Sequence, residues 1–257
     1  MRRSDHASID PAADHTLPWF PSDAQPMVEP AARTRQRGWL RRLLTAAIKL
    51  FAAYYVFCVL LLVVYRFVAP PTTGVQLQRR LEARLAGERY DLRQHVVRLA
   101  AMPPHVPRAV VAAEDGRFWT HSGFDLKEMR LAGRSAADGG RMRGASTITQ
   151  QLMKNLFGCA CRNPVRKVYD LALTPAAELI LGKHRILELY LNQVEWGEGI
   201  FGVDEAARHH YHVSAKDLSR SQAAGLAALL PNPRRRTPGN TGEYRRDILR
   251  RMRRSGG

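Results

Sequence analysis

The longest uninterrupted apolar stretch of the chain covers residues 50–65, which read LFAAYYVFCVLLLVVY. As a helix this stretch would be roughly 24 Å long, and extension to residue 69 brings it to about 30 Å, the thickness of the hydrocarbon core of a bilayer. The extension requires the Arg66 side chain to reach the membrane surface. A buried core helix is the alternative, but the uncharged run with basic residues on one flank favours a single transmembrane anchor over residues 41–69.

The remaining pattern divides the chain into four further segments. Residues 1–40 are rich in proline, alanine and aspartate in their first part and lack apolar periodicity, which predicts a disordered tail. Residues 70–105 begin with a Pro-Pro-Thr-Thr-Gly linker and form a membrane-proximal segment. Residues 106–240 have dense apolar positions at helical spacing and few strand signals, so we expect a mainly α domain there. Residues 241–257 form a basic tail, either solvated or lying on anionic headgroups.

A net charge of +17 indicates an anionic partner, which can be nucleic acid, a membrane surface or a phosphorylated substrate. The distribution of charge decides among them, because the basic residues near the apolar run lie almost entirely before it. The positive-inside rule then predicts a cytoplasmic N-terminus and export of everything after residue 70. An exported domain does not meet chromosomal DNA, so no nucleic-acid partner is expected. The preceding basic residues are Arg33, Arg35, Arg37, Arg41, Arg42 and Lys49.

The three cysteines provide no framework for a metal site. Cys58 lies in the apolar run, and Cys159 and Cys161 are separated by one residue. A disulfide across so short a span is strained, so free or loosely coupled thiols are expected. No other spacing of metal ligands stands out along the chain.

Two adjacent acids, Glu114 and Asp115, end an apolar, helix-prone run and are followed by an aromatic pair and His121. Solvated surface acids are the ordinary interpretation of such a pair. The alternative is a carboxylate held in a partly apolar setting, where burial raises its pKa and suits it to accept a proton near neutral pH.

The segment GASTITQQLMKNLF, residues 144–157, predicts an amphipathic helix that begins at Thr147, with Gln150 placed as in a capping box. Its polar face has amides and one cation but no acid. This is either an ordinary solvated face or a surface suited to sugar amides and phosphate oxygens. The polar residues of the segment are Ser146, Gln150, Gln151, Lys154 and Asn155.

A third segment, residues 166–192, predicts a long helical region. Arg166 and Asp170 are four residues apart and would share a helix face. Thr174 and Pro175 have the character of an N-cap and first helical position, so a kink or restart is expected there. Residues 196–202, WGEGIFG, predict a glycine-punctuated turn before another helix.

These segments together resemble the motifs of the peptidoglycan glycosyltransferases, in particular the monofunctional biosynthetic membrane-anchored type. The motif Glu-Asp-x-x-Phe-x-x-His-x-Gly corresponds to residues 114–123, and Gly-x-Ser-Thr-Ile-Thr-Gln-Gln-x-x-Lys-Asn to residues 144–155. Arg-Lys-x-x-Glu appears at residues 166–170, and Lys-x-Arg-Ile-Leu-Glu-x-Tyr-Leu-Asn at residues 183–192. The glycines of residues 197–202 and LAALLPNP at residues 226–233 continue a resemblance that covers roughly residues 75–240.

The resemblance implies a lysozyme-like, two-lobed, mainly α glycosyltransferase domain behind the N-terminal anchor, exposed to the periplasm at the bacterial inner membrane. Its implied partners are lipid II, the nascent glycan strand and membrane lipids, with other cell-wall synthesis proteins as further candidates. It would polymerise lipid II with loss of undecaprenyl diphosphate. No Ser-x-x-Lys occurs in the chain, so no transpeptidase activity is expected. No cofactor is expected, and assistance by a divalent metal is left open.

Roles follow for the residues at the motif positions. Glu114 is the expected base, and Asp170 is the second catalytic carboxylate, which orients the diphosphate or holds the cations. Asp115 is expected to anchor the local turn and His121 to be structural. Asp170 departs from the glutamate of the family and shortens the reach by about an ångström, a displacement that matters in catalysis. The expected substrate-binding residues are Ser146, Gln150, Gln151, Lys154, Asn155, Arg166 and Lys167.

Two other functions remain as alternatives. A lysozyme-like lytic enzyme would share the fold and the single glutamate but would not need the cations at residues 154, 166 and 167. A weakly active or non-catalytic scaffold for cell-wall assembly is made plausible by Asp170. The product formed from lipid II distinguishes all three.

Overall fold

The computed structural model describes residues 32–137, 146–161 and 164–254. Its contacts divide the chain into two units, Met1–Ile48 and Lys49–Gly257. The expected mainly α architecture is confirmed. Two short 3-10 helices, Leu99–Ala101 and Ala215–Asp217, accompany the α-helices. The α-helices of the described residues are α1 Ala32–Tyr65, α2 Gly74–Leu85, α3 His105–Glu114, α4 Leu126–Ala137, α5 Ile148–Phe157, α6 Pro164–Gln193, α7 Val203–Tyr211, α8 Arg220–Ala227 and α9 Gly242–Arg254.

Helix α1 contains one segment, Arg41–Tyr65, that is long and apolar enough to cross a membrane, the single such segment in the part of the chain that the structure describes. Large apolar side chains on it, such as Leu44 and Leu60, are exposed. The predicted disordered tail is wrong over residues 32–40, which are helical. The sequence has no proline between Pro30 and Pro70, so nothing interrupts the helix there. Residues 1–31 of the predicted tail lie outside the described residues.

The part of α1 from Lys49 onward belongs to the second unit and packs within it. Cys58 and Leu62 are fully buried, and the Tyr54 hydroxyl donates to the Phe157 carbonyl at the end of α5, with 2.6 Å between the oxygens. Helix α5 packs along α6, and α2 approaches α5 closely. At Gly74 an added Cβ would lie 2.4 Å from the Gly158 carbonyl oxygen, so this approach requires glycine.

Helix α6 does not restart at Thr174 and Pro175, so the restart expected there is wrong. The helix runs through Pro175, and the Thr174 hydroxyl donates to the Asp170 carbonyl at 2.7 Å. The interruption lies instead at Gly182, with φ 71° and ψ 162°. Glycine adopts this backbone conformation without the steric penalty that a Cβ brings, which explains why the break falls there.

The predicted glycine-punctuated turn joins two short strands, β2 (Glu195–Gly197) and β3 (Ile200–Phe201). They pair antiparallel, and β1 (Arg93–Gln94) pairs parallel to β3, giving the order β1-β3-β2. At Gly199, φ is 71° and an added Cβ would meet the Asp91 carbonyl oxygen at 2.6 Å. The turn is followed by α7, as predicted.

The predicted basic tail over residues 241–257 is wrong as far as residue 254, because residues 242–254 form α9. This helix packs on α3 and α8, with Ile248 and Met252 buried. The two apolar residues are four apart and share one face, while the arginines occupy the rest. The domain therefore extends beyond the predicted boundary at residue 240.

Cys159 and Cys161 are joined by a disulfide, with their Cα atoms 5.1 Å apart, so the expectation of free thiols at these positions is wrong. Cys58 is free and buried. The disulfide lies in the connection between α5 and α6. These two helices contribute most of the polar residues predicted for the site.

Candidate active site

Glu114 is the last residue of α3, a helix with one largely buried face. Val106, Ala109 and Val110 are almost fully inaccessible and fix the helix in the core. Glu114 opens into a cleft of about 1160 Å³ that Ser146 also lines. Glu114 therefore lies in the wall of a cleft, at the polar end of an apolar helix. This is not the environment of an ordinary surface acid.

Asp115 ties the first two motifs together. One carboxylate oxygen accepts a hydrogen bond from His121 Nε2 at 2.8 Å, and the other accepts from the Ile148 backbone N–H at 3.0 Å. The Gly123 N–H donates to His121 Nδ1 at 3.1 Å, so the ring proton lies on Nε2, facing Asp115. These contacts agree with the anchoring role predicted for Asp115 and the structural role predicted for His121.

The start of α5 is also tied to the first motif. Thr147 caps the helix as predicted, accepting from the Gln150 N–H at 3.3 Å. Its hydroxyl donates to the Gly123 carbonyl at 2.8 Å, and Gln150 Nε2 donates to the same carbonyl at 3.4 Å. The Gln150 side chain therefore does not complete a capping box; it links α5 to the turn after α3 instead.

Gln151 holds the Glu114 carboxylate. Its Nε2 donates to Glu114 Oε2 at 2.8 Å, while the Tyr190 hydroxyl donates to Gln151 Oε1 at 2.9 Å. Because Tyr190 occupies the amide oxygen, the amide nitrogen is directed at Glu114. Sequence reasoning missed Tyr190 as a site residue. The available signal was its place in the motif at residues 183–192, together with the need of a buried tyrosine hydroxyl for a partner.

The protonation of Glu114 is set by opposing influences. Burial raises the pKa of the carboxyl, and the hydrogen bond from Gln151 together with the charges of Arg236 and Lys154 opposes that rise. The net direction is upward from the ordinary value of glutamate. A carboxylate with a raised pKa is a better proton acceptor when ionised, as a general base requires.

Lys154 extends from α5 towards the predicted acids. Burial lowers the pKa of its ammonium, Arg166 adds to this, and the nearby carboxylates oppose it. No hydrogen bond or ion pair joins this ammonium to another residue that the structure describes. The cation is thus held partly desolvated without a direct counterion among those residues. The carboxylates whose charges act on it are Asp170, Glu114 and Glu195.

The first turns of α6 bring the other predicted cations to the same region. Arg166 pairs with Asp170 at 3.0 Å, as the spacing predicted. Lys167 donates to Ser146 Oγ at 3.2 Å and to Gln150 Oε1 at 3.3 Å, which joins α6 to the cleft wall. Burial lowers the pKa of Lys167 and raises the pKa of Asp170, and the opposite charges of the two groups counter both shifts.

The predicted residues do not all line the cleft, and Lys154, Arg166 and Asp170 are not among its lining residues. Glu114 and Ser146 line it directly, and Gln151 and Lys167 contact these two residues. Asn155 uses its amide nitrogen within its own helix, donating to the Gln151 carbonyl at 2.8 Å.

The cleft is also lined by residues that the motifs did not indicate. Arg236 follows the LAALLPNP segment, and Tyr244 and Arg251 lie on α9. A single arginine in a run of three and an aromatic residue in a basic tail carry no distinguishing local signal, so the sequence alone did not place them near Glu114.

One cluster among the described residues has the geometry of a metal site. Ligand atoms of Asp115, His121 and Asp125 lie within 4.8 Å of one another. These atoms are already engaged, because Asp115 bonds His121 and Arg117 forms a two-point ion pair with Asp125. The hydrogen bonds from Arg117 hold the pKa of Asp125 at about 2. A cation would have to displace this guanidinium.

Comparison with known proteins identifies a family and several relatives that this chain resembles. Residues 81–253 match the family model described as Transglycosylase. A biosynthetic peptidoglycan transglycosylase of Pseudomonas fluorescens is 47% identical over 176 residues, covering 68% of this chain and 73% of that protein. The protein of the same name from Stutzerimonas stutzeri is 43% identical, with 80% and 85% covered. That from Chromohalobacter salexigens is 41% identical, with 86% and 96% covered.

Proposed function

The chain belongs to the transglycosylase family, and on this premise we propose that its lysozyme-like, mainly helical domain polymerises peptidoglycan glycan strands from lipid II. A sugar hydroxyl attacks an anomeric carbon that bears diphosphate, with inversion. The new glycosidic C–O bond forms as the bond to the diphosphate breaks. The hydroxyl proton passes to a base, and the bonding electron pair leaves with undecaprenyl diphosphate.

Glu114 is the base in this proposal. Gln151 occupies Oε2 of its carboxylate, which leaves Oε1 to accept the hydroxyl proton. The raised pKa, caused mainly by burial, strengthens the base once it is ionised. Tyr190 contributes indirectly, because it orients the Gln151 amide that holds the carboxylate.

The cations stabilise the departing diphosphate. Each cation about 4 Å from a phosphate charge contributes on the order of 4 kcal/mol at an effective dielectric constant near 20. Lys154 and Lys167 provide ammonium groups from two helices, and Arg166 adds a guanidinium positioned by Asp170. Ser146, Gln150 and Asn155 provide neutral groups for the sugars and phosphate oxygens.

The observation that carries this function is the state of Lys154. Its ammonium is partly desolvated, is acted on by the charges of both Glu114 and Asp170, and is not ion-paired to any residue in the described parts of the chain. Such a cation suits an anionic ligand that arrives with the substrate. A lytic enzyme cleaves a neutral glycosidic bond and does not need it, which favours the polymerase over the hydrolase.

The apolar helix supports membrane attachment, and the charge distribution supports an orientation. We place the basic N-terminal flank in the cytoplasm and the catalytic domain on the outer face of the bacterial inner membrane. There the domain meets lipid-tailed substrate at the surface of the membrane. Membrane lipids and other cell-wall synthesis proteins are the further partners of this proposal.

The direct test supplies the purified full-length chain with lipid II and analyses the product. Polymer supports the proposal, whereas cleaved glycan would support the lytic alternative. Glu114→Gln should lower the rate by about 10²–10⁴, while Glu198→Gln, which removes an exposed carboxylate, should match wild type. Equal, background-level activity in wild type and Glu114→Gln would leave the scaffold alternative. Parallel reactions with and without a chelator determine whether a divalent cation assists the diphosphate.

A further inference from the structure

The end of α3 is held by side chains from α9. The last carbonyls of a helix have no partner within it and need donors from elsewhere. Here the Tyr244 hydroxyl donates to the Ala113 carbonyl at 3.0 Å, and Arg251 donates to the Ala112 carbonyl at 3.3 Å. These two carbonyls immediately precede Glu114. A cation at a helix C-terminus also complements the helix dipole.

The donors are themselves held in place. Two guanidinium groups lie near the Tyr244 ring, with Arg236 5.3 Å and Arg251 6.0 Å from its centre. Asp247 accepts from Arg251 at 2.5 Å, and the Ala228 carbonyl accepts from Arg236 at 2.9 Å. All of these side chains except Ala228 line the cleft that contains Glu114. The arrangement is therefore a connected wall facing the carboxylate.

We propose that this wall, formed by Arg236, Tyr244 and Arg251, positions the base: Tyr244 and Arg251 hold the last carbonyls of α3, and Arg236 places a positive charge in the cleft that contains Glu114. The proposal rests on the proposed function of Glu114. None of the three residues needs to touch the substrate, so they are positioning residues. The basic C-terminal helix is then part of the catalytic apparatus.

Arg236 acts on Glu114 in a direction that can be measured. Its positive charge lowers the pKa of the Glu114 carboxyl and so opposes the effect of burial. Removing it should raise that pKa. A base works only when ionised, so the acidic limb of the pH profile should move to higher pH. Gln151, Lys154, Asp115, Tyr190 and Tyr244 also interact with Glu114 by hydrogen bond or charge. The other charged groups that line the cleft are Arg117, Asp125, Glu128, Glu243, Asp247, Arg251 and Arg254.

The first experiment compares the pH dependence of kcat/KM for lipid II polymerisation by the full-length chain. Arg236→Gln should shift the acidic limb to higher pH, and Arg236→Lys should restore it. The matched control is Arg235→Gln, which removes the same charge from an exposed neighbouring residue. A purely structural role for Arg236 would lower the rate at every pH without moving the limb.

The second experiment tests the hydrogen bond from Tyr244 that holds the end of α3. Tyr244→Phe removes one hydroxyl and keeps the ring near the two arginines. We expect kcat to fall by about tenfold with KM within twofold, because the carboxylate is displaced while the binding groups remain. The thermal unfolding midpoint is measured alongside, and a kcat loss that persists well below that midpoint is not due to unfolding.

Two results would overturn the proposal, and they differ from one another. If Glu114→Gln retains polymerisation, the assignment of the base is wrong and the positioning role is wrong with it. If Glu114→Gln is inactive but Arg236→Gln has the profile of Arg235→Gln and Tyr244→Phe keeps wild-type kcat, only the positioning role is wrong.

Discussion

Replacing Lys154 with methionine tests the diphosphate site most directly. Methionine is an unbranched side chain that fills much of the same space without the charge. In the structure the ammonium is partly desolvated, and no ion pair to another described residue compensates it, so burial lowers its pKa. A charge held in this way is a cost to the folded protein, and it is retained only if the ligand needs it.

The size of the effect follows from Coulomb's law. One cation about 4 Å from a phosphate charge is worth on the order of 4 kcal/mol at an effective dielectric constant of 20, which corresponds to about 10³ in rate. Arg166 and Lys167 remain in the variant and compensate in part. We therefore expect kcat/KM for polymerisation to fall by about 10²–10³ in Lys154→Met, while the thermal unfolding midpoint stays unchanged or rises.

The assay uses labelled lipid II and follows the appearance of polymer, with unfolding of each variant recorded by circular dichroism. Lys216→Met is the matched control, because Lys216 is exposed in the short helix Ala215–Asp217. A Lys154→Met enzyme as active as Lys216→Met would refute the role of the cation. A variant that loses activity because it unfolds would also contradict the reasoning, since the buried charge should not be a source of stability.

Two further predictions concern Asp170, where the family motif has glutamate, and α9, where a basic tail was predicted. Asp170→Glu should polymerise lipid II at least as fast as wild type, because the longer side chain restores the reach of the family's glutamate and still pairs with Arg166; a collapse in kcat would show that the position has been misaligned. Ile248→Ala should lower the free energy of unfolding by about 2–5 kcal/mol in urea titration, since Ile248 is fully buried in the packed face of α9. Arg250→Ala on the exposed face is the control. Equal stability of the two variants would show that the packing of α9 does not stabilise the domain.

The residues that form local structure were predicted well from the chain alone. The apolar run of α1, the Thr147 cap of α5 and the pair of Arg166 with Asp170 depend on neighbours within one or two helical turns. The predictions at Pro175 and at residues 32–40 were wrong for different reasons. At Pro175 the packing of α6 along α5 overrides a weak local preference. Residues 32–40 continue α1 because no proline interrupts it there.

Sequence also determined which chemical groups are available: two carboxylates, a set of cations and the amides of α5. Their placement was decided by tertiary structure. The hydrogen bond from Gln151 to Glu114 joins residues 37 apart, and that from Tyr244 to Ala113 joins residues 131 apart. Periodicity reports which face of a helix is apolar, but it does not report which other helix covers that face. The many basic residues of α9 made its apolar face difficult to recognise in the sequence. Only the tertiary structure, in which α9 packs on α3, brought Arg236, Tyr244 and Glu114 to one cleft.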